Sequence, residues 1–400
     1  MVFVFVLVNY ADKAVIGLSS VAIMHDLGLT NVQFGSLGSA FFLLFSVSGI
    51  AGGFLADRVR TKSLMSAMAV VWACALVPMI WVSSFTTLFV SRIVLGAAEG
   101  PAFPVALHAV YKWFPDRKRA LPTSVVASGA AFGTGVIAPL ITGIIVHHGW
   151  HAAFGVLGVA GLVWTALWSC FTQEGSIDGI EARPGATETP VPYRTLLLSR
   201  TALGVYVAGF GAYWLIALNI TWLANYLVKA MHVTPSNTAW IVGLPSVMQM
   251  ILAPSFALVS QFLRSRAFSS RISRGMLGAS CVAVAGACMI AMAVTPFGWF
   301  KVCLIGLCYS IGSVIFTLGS TLIGEISPTP QRGGMLGITN SIQTLAGLCA
   351  PFVMGRMIDA GGNVEMGFRT GYVEAGSLVV ACGILAAILI DPEADRRRFG

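Results

Sequence analysis

Residues 1–24 read MVFVFVLVNYADKAVIGLSSVAIM. About twenty mostly apolar residues make one helical bilayer crossing. The run lacks a basic leading segment, and Asp12-Lys13 splits its apolar core, so it does not read as a cleaved signal peptide. A charge at bilayer depth costs between about 2.5 and 17 kcal/mol, so such residues face a cavity or a partner and mark an ion or substrate path. A second run, LFVSRIVLGAAEGPAFPVAL at 88–107, carries Arg92 and Glu99 in the same way. Two acids and two bases inside spanning segments point to a transporter of charged solutes.

The rest of the chain agrees with a lipid solvent. Only 10% of its 400 residues are charged and 56% are hydrophobic, with a mean hydropathy of +0.83. A water-facing domain carries about 25% charged residues. Forty-four glycines suit close helix packing in a membrane. The net charge of +8 sits mostly in loops, where it reports topology and not nucleic-acid binding. The eight cysteines show no C-x-x-C spacing and no clustered histidine, so they read as packing residues. His147, His148 and His151 lack an accompanying carboxylate or cysteine, so no metal and no cofactor is expected.

The twenty-residue ruler gives twelve spans in an all-α membrane protein. Six run near 2–24, 34–55, 63–82, 86–110, 121–146 and 152–171. Six more run near 201–228, 238–262, 273–294, 299–324, 333–358 and 370–390. This predicts an N-terminal six-helix bundle over 1–171, a linker over 172–200, and a C-terminal bundle with a short tail over 201–400. Lys and Arg crowd one set of loops, from Arg58, Arg60 and Lys62 to Arg396–Arg398. That set is cytoplasmic by the positive-inside rule, which places both termini and the linker inside and the protein in the inner membrane.

An internal repeat supports two matched halves. Gly135-x3-Pro139-x3-Gly143 in span five recurs as Gly347-x3-Pro351-x3-Gly355 in span eleven. Pro115 with Arg119, and Pro328 with Arg332, precede the two copies at nearly the same interval. Parallel six-helix repeats place a substrate site at their interface, near the midplane.

Residues 52–62, GGFLADRVRTK, resemble the loop between spans two and three of the major facilitator superfamily, Gly-x-Leu-Ala-Asp-Arg-x-Gly-Arg-Lys. Gly53, Leu55, Ala56, Asp57, Arg58 and Lys62 fit; Arg60 and Thr61 depart. The resemblance makes Gly53, Asp57, Arg58 and Lys62 a conformational latch. NYADK at 9–13 and RIVLGAAEGPAFPVALHAVYKWFPDRKRA from Arg92 to Ala120 are similar to the anion:cation symporter family, which includes sugar-acid and other organic-anion carriers. GWHAAF at 149–154 also resembles that family, with His151 in place of its arginine.

Arg92 and Glu99 are two helical turns apart, so they project from nearly one face about 10 Å apart, and Gly96 between them is expected to leave that face open. Arg92 can grip a carboxylate with two parallel hydrogen bonds. Glu99 can gain and lose a proton. Asp12 and Lys13 point about 100° apart, and each needs a partner on another helix. The resemblance makes Asp12 a proton-coupling carboxylate and puts Lys13, a point charge, in the place of an anion-binding arginine; Tyr10 belongs to the same motif. Phe45 and Gly49 stand where family members often carry Tyr and Gln, and Ala130 where sugar-acid carriers have Gln. The pocket then lacks hydroxyl-reading groups and suits an aromatic or short aliphatic carboxylate. Phe41, Phe42 and Phe45 either wall it or face lipid. Tyr213, Asn219, Trp222, Thr317, Ser320, Asn340, Gln343 and Thr344 either line the cavity from the second half or cross-link helices.

The expectation is a monomeric, proton-coupled importer of an organic anion, with no nucleic-acid partner. Efflux of lipophilic drugs on the same fold is the alternative, and Arg92 and Lys13 argue against it. No nucleophile constellation of an enzyme is present in the sequence.

Overall fold

A computed structural model describes the chain except residues 57, 82–83, 115–117, 176–190, 329–330 and 400, and leaves aside the side chains of 53, 54, 56, 120 and 399. The described residues are helical and contain no strand. A helix satisfies its own backbone groups, which is what a hydrocarbon solvent requires. Among the described residues, ten helical segments are long and apolar enough to cross a bilayer, or eleven if one bent pair counts as a span.

That pair is α1 (Val2–Leu18) and α2 (Ser20–Leu27), bent by 52° at Ser19 where span one was read as continuous. Next come α3 (Asn31–Ala56), α4 (Thr61–Leu76), α5 (Phe85–Glu99) and α6 (Ala102–Tyr111). Span four therefore breaks at Gly100-Pro101, since Pro101 has no N–H to continue the ladder. α7 (Ala120–Ala131) passes through a π-type turn at Phe132–Val136 into α8 (Ala138–Phe171). The 51 residues Leu121–Phe171 are broken at Gly149, whose φ of 82° is left-handed. At 1.5 Å per residue they are about twice too long for one crossing.

The second half holds short α9 (Tyr193–Leu197), then α10 (Arg200–Asn225), α11 (Pro235–Ser265) and α12 (Leu277–Val294). Span ten is broken at Gly312-Ser313 into α13 (Trp299–Ile311) and α14 (Val314–Ile326). α15 (Arg332–Ala360), α16 (Val364–Leu389) and α17 (Pro392–Phe399) complete the chain.

The sequence repeat is visible in the geometry. Arg119 Nε donates to the Phe114 carbonyl at 3.0 Å, and Arg332 Nε donates to the Ser327 carbonyl at 3.1 Å, five residues back in each case. Each glycine motif then packs on the opposite half. Gly135 lies against the Gly243 backbone of α11, and Gly347 against the ring of Phe42 on α3. A methyl group on Gly347 would run into that ring, and one on Gly135 would stand a tight 3.2 Å from the Gly243 carbonyl oxygen, so the small residues set how closely the halves approach.

The α3–α15 contact has a direction. At one end, the Asp359 carboxylate accepts from Asn31 N and Val32 N, capping α3, and from Asn31 Nδ2. Further along, Gly35 meets the Pro351 backbone, and Ser39 Oγ accepts from Phe352 N at 3.2 Å. Ser46 Oγ and Thr344 Oγ1 close the row at 2.5 Å. The hydrogen bonds between α3 and α15 thus run from the Asn31 end as far as Ser46, and none is described beyond it toward the basic loops.

Candidate functional site

Side chains from α1 and from α5, which ends at Glu99, bring four charges into the interior. Asp12 is 2% exposed, Lys13 7%, Arg92 2% and Glu99 1%. Lys13 Nζ donates to Asn9 Oδ1, one turn back, at 2.8 Å, and stands 3.6 Å from Glu99 Oε2. It also lies over the rings of Tyr10, at 4.2 Å, and Phe45, at 5.2 Å. Asp12 and Arg92 are buried in the same cluster as Lys13 and Glu99. No described protein group bonds Arg92 Nε or Nη1, either oxygen of Asp12, or Asn9 Nδ2. Buried polar atoms left open in this way are sites for a proton, water or ligand.

The side chains between them differ in one respect from the sequence expectation. Gly96 does not leave an open face. A Cβ there would run into the Phe41 carbonyl, so the glycine admits the α3 backbone against α5. Arg92 accordingly lies over the Phe41 ring, 4.7 Å from its centroid. Phe41, Phe42 and Phe45 are all buried and turn inward, not to lipid. Their rings pack at 5.0 to 5.8 Å, and Phe42 extends the wall to Tyr213 of α10 at 5.7 Å. Since Lys13 lies over Phe45, the wall joins the charged cluster to the second half.

The remaining polar candidates divide. Trp222 is fully buried away from the cluster, its indole N–H donating to the Pro351 carbonyl at 2.9 Å. Gln343 Nε2 donates to the Val205 carbonyl at 3.3 Å, and Thr344 joins Ser46. These three link helices. Ser320 and Asn340 are exposed, Ser320 with its hydroxyl donating to the Phe316 carbonyl. Asn219 keeps a buried Oδ1 without a described partner.

The Major Facilitator Superfamily profile matches residues 2–314 and, in a second alignment, 205–400. The chain belongs to the major facilitator superfamily. It is 26% identical to a "Probable galactarate/D-glucarate transporter GudP" of Bacillus subtilis, over 98% of this chain and 91% of that protein. It is 28% identical to a "Probable sulfoacetate transporter SauU" of Cupriavidus necator, over 96% and 91%. Its fold superposes on the D-xylose–proton symporter with a TM-score of 0.76 at 16% identity, covering 98% and 96% of the two chains. These curated relatives are transporters of organic anions, the class implied by NYADK and by the run from Arg92. The chain is an all-α multi-pass membrane protein of this superfamily.

Of the superfamily loop residues, Asp57 and the surroundings of Gly53 lie outside the described residues. Arg58 is exposed. Lys62 holds the end of α8 in its own half, donating to the carbonyls of Ser169 at 2.8 Å and Thr172 at 2.7 Å. Its neighbour is a residue that sequence reasoning passes over. Glu174 accepts from Thr61 N, Lys62 N and Thr61 Oγ1, capping α4, and pairs with Lys112 Nζ at 2.6 Å. Burial pushes its carboxyl up, but these donors outweigh that and hold it at about 2. The second half repeats the device. Glu393 Oε1 accepts from Ser270 N at 2.5 Å and Arg271 N at 3.4 Å, at the start of the helix that leads into α12. Glu325 ties Ser270 Oγ to Arg274 and Arg396 beside it.

Proposed function

We propose that this chain is a proton-coupled importer of a hydroxyl-poor organic anion, an aromatic or short aliphatic carboxylate. The observation that supports this most is the meeting of Asp12, Lys13, Arg92 and Glu99 in one buried cluster beside an aromatic wall. In the proposed cycle both acids, when ionised, hold the two cations. A proton taken up by the Asp12–Glu99 pair loosens that hold. Arg92 and Lys13 then bind the substrate carboxylate, and Phe41, Phe42, Phe45 and Tyr213 cover its body. The sulfoacetate relative bears on the substrate, because a sulfonate–carboxylate with no hydroxyl needs the same cations and no hydroxyl readers.

The twelve-span plan belongs to this reading. Two six-helix bundles, 1–171 and 201–400, rock about the site, joined by a cytoplasmic linker at 172–200. The protein lies in the inner membrane as a monomer with both termini inside. The state described above then opens inward, a reading supported by the α3–α15 hydrogen bonds lying between the Asn31 end and Ser46. Gly53, Asp57, Arg58 and Lys62 form a latch at that end in the opposite state.

Proteoliposomes with an imposed pH gradient test the scheme against a panel of carboxylates. Arg92→Ala weakens anion binding by about 30-fold, the loss of a charge-assisted bidentate contact of roughly 2 kcal/mol. Glu99→Gln keeps binding but loses accumulation driven by the gradient. Unchanged affinity in the first variant removes the anion site, and unchanged accumulation in the second removes the coupling role.

A further inference from the structure

An intramembrane carboxylate outside the charged cluster has no assigned role. Glu374 stands ten residues past the start of α16. At 1.5 Å per residue that is about 15 Å down a helix about 39 Å long. It is exposed on the flank of the molecule. No hydrogen bond or ion pair reaches it among the described residues. A bare carboxylate at that depth is unfavourable, so a partner or cavity is expected for it. Glu374 borders a crevice of about 210 Å³ between α10, α15 and α16, lined by Trp214, Leu218, Met354, Met357 and Leu378.

We propose that this crevice binds a small amphiphilic ammonium entering from the lipid, its cationic head on Glu374 and its apolar body against Trp214, Leu218 and the two methionines. The chemistry of the lining selects that class. The carboxylate supplies the opposite charge, and an indole is the best aromatic face for a cation. Flexible thioethers adapt to an irregular apolar body. An anion would meet the carboxylate as a like charge, and a neutral ligand would leave it unpaired. The small volume suits an aryl- or alkylammonium and not a whole lipid. The crevice is separate from the Asp12–Glu99 cluster, and its occupancy is read without transport.

The test uses full-length protein in lipid nanodiscs and equilibrium binding of radiolabelled 4-phenylbutylammonium. The neutral 4-phenylbutanol, of nearly the same shape, is the control. Saturable binding of the ammonium is expected, weakened about tenfold by Glu374→Gln and by Trp214→Leu. Binding of the alcohol is unaffected by Glu374→Gln. An unchanged thermal unfolding midpoint shows that the Gln variant is folded. Non-saturable partitioning of the ammonium, or equal binding to wild type and the folded Glu374→Gln variant, overturns the assignment. So does an equal loss for the alcohol, which would mean the charge is not what is recognised.

Discussion

Asn9 fixes how Lys13 can meet an anion. An ammonium only donates, so the 2.8 Å bond turns the Asn9 oxygen toward Lys13 and its NH₂ away, and that NH₂ is buried with no described partner. Without Asn9, Lys13 moves onto Glu99, now 3.6 Å away, and competes less well for substrate. Asn9→Leu should raise the KM for the transported carboxylate about tenfold, about 1.4 kcal/mol, while the maximal rate changes little. Asn9→Asp keeps the grip on Lys13 but adds a negative charge, and should bind the anion no better than Asn9→Leu. Initial-rate uptake over a substrate series reads both, and wild-type KM in either variant refutes the role. The four charged residues were legible because each is a charge inside an apolar run. Gly96, Trp222, Gln343 and Thr344 were not, because their roles depend on which helix lies opposite. A residue's own span does not record that. Glu374 escapes for another reason: averaged over its span, one carboxylate disappears into an apolar mean.

At the scale of elements, the spans were legible from apolar length, and the breaks only in part. Gly100-Pro101 carries a proline that explains its break, whereas Ser19 and Gly312-Ser313 carry no comparable signal. The repeat was legible in spacing, and the structure adds the paired glutamates after span six and in α17. Glu174 and Glu393 cap the third helix of each half through backbone N–H groups, which the sequence does not mark. The Glu174 cap has a pH signature. A carboxyl held at about 2, against an ordinary value near 4.5, contributes stability above pH 4.5 that is lost as pH falls toward 2. Over half of it is gone by pH 3. Solvent screening at this partly exposed site limits it to about 1 kcal/mol. Glu174→Gln should therefore lower the thermal unfolding midpoint by a few degrees at pH 7, and the gap to wild type should narrow by pH 3. A gap that is absent at pH 7, or equal at both pH values, shows that the cap does not stabilise α4.

Over the whole molecule, the α3–α15 seam ties the two halves together at the Asn31 end. The seam holds at the Asn31 end through one carboxylate, since Asp359 of the second half accepts from two backbone N–H groups and one side chain of the first. A helix N-terminus welcomes a negative charge, and losing an N-terminal cap costs about 1 kcal/mol. The packing below it, Gly35 on Pro351 and Gly347 on Phe42, is dense but directionless, because glycines allow approach without attracting. Asp359 is therefore the charged component of the seal, beside the neutral hydrogen bonds of Ser39 and Ser46. Rocking to the opposite state must break its bonds, so the cap energy enters the equilibrium between the two openings directly. Asp359→Ala should raise the population open at the Asn31 end about fivefold, the equivalent of about 1 kcal/mol. Asp359→Asn, which keeps an acceptor but not the charge, should fall between the two. Distances between nitroxide labels at positions 33 and 356, in protein whose native cysteines have been replaced, report the separated state directly. A distance distribution that does not respond to Asp359→Ala would mean that glycine packing and the Ser39 and Ser46 hydrogen bonds hold the two halves closed at that end without it.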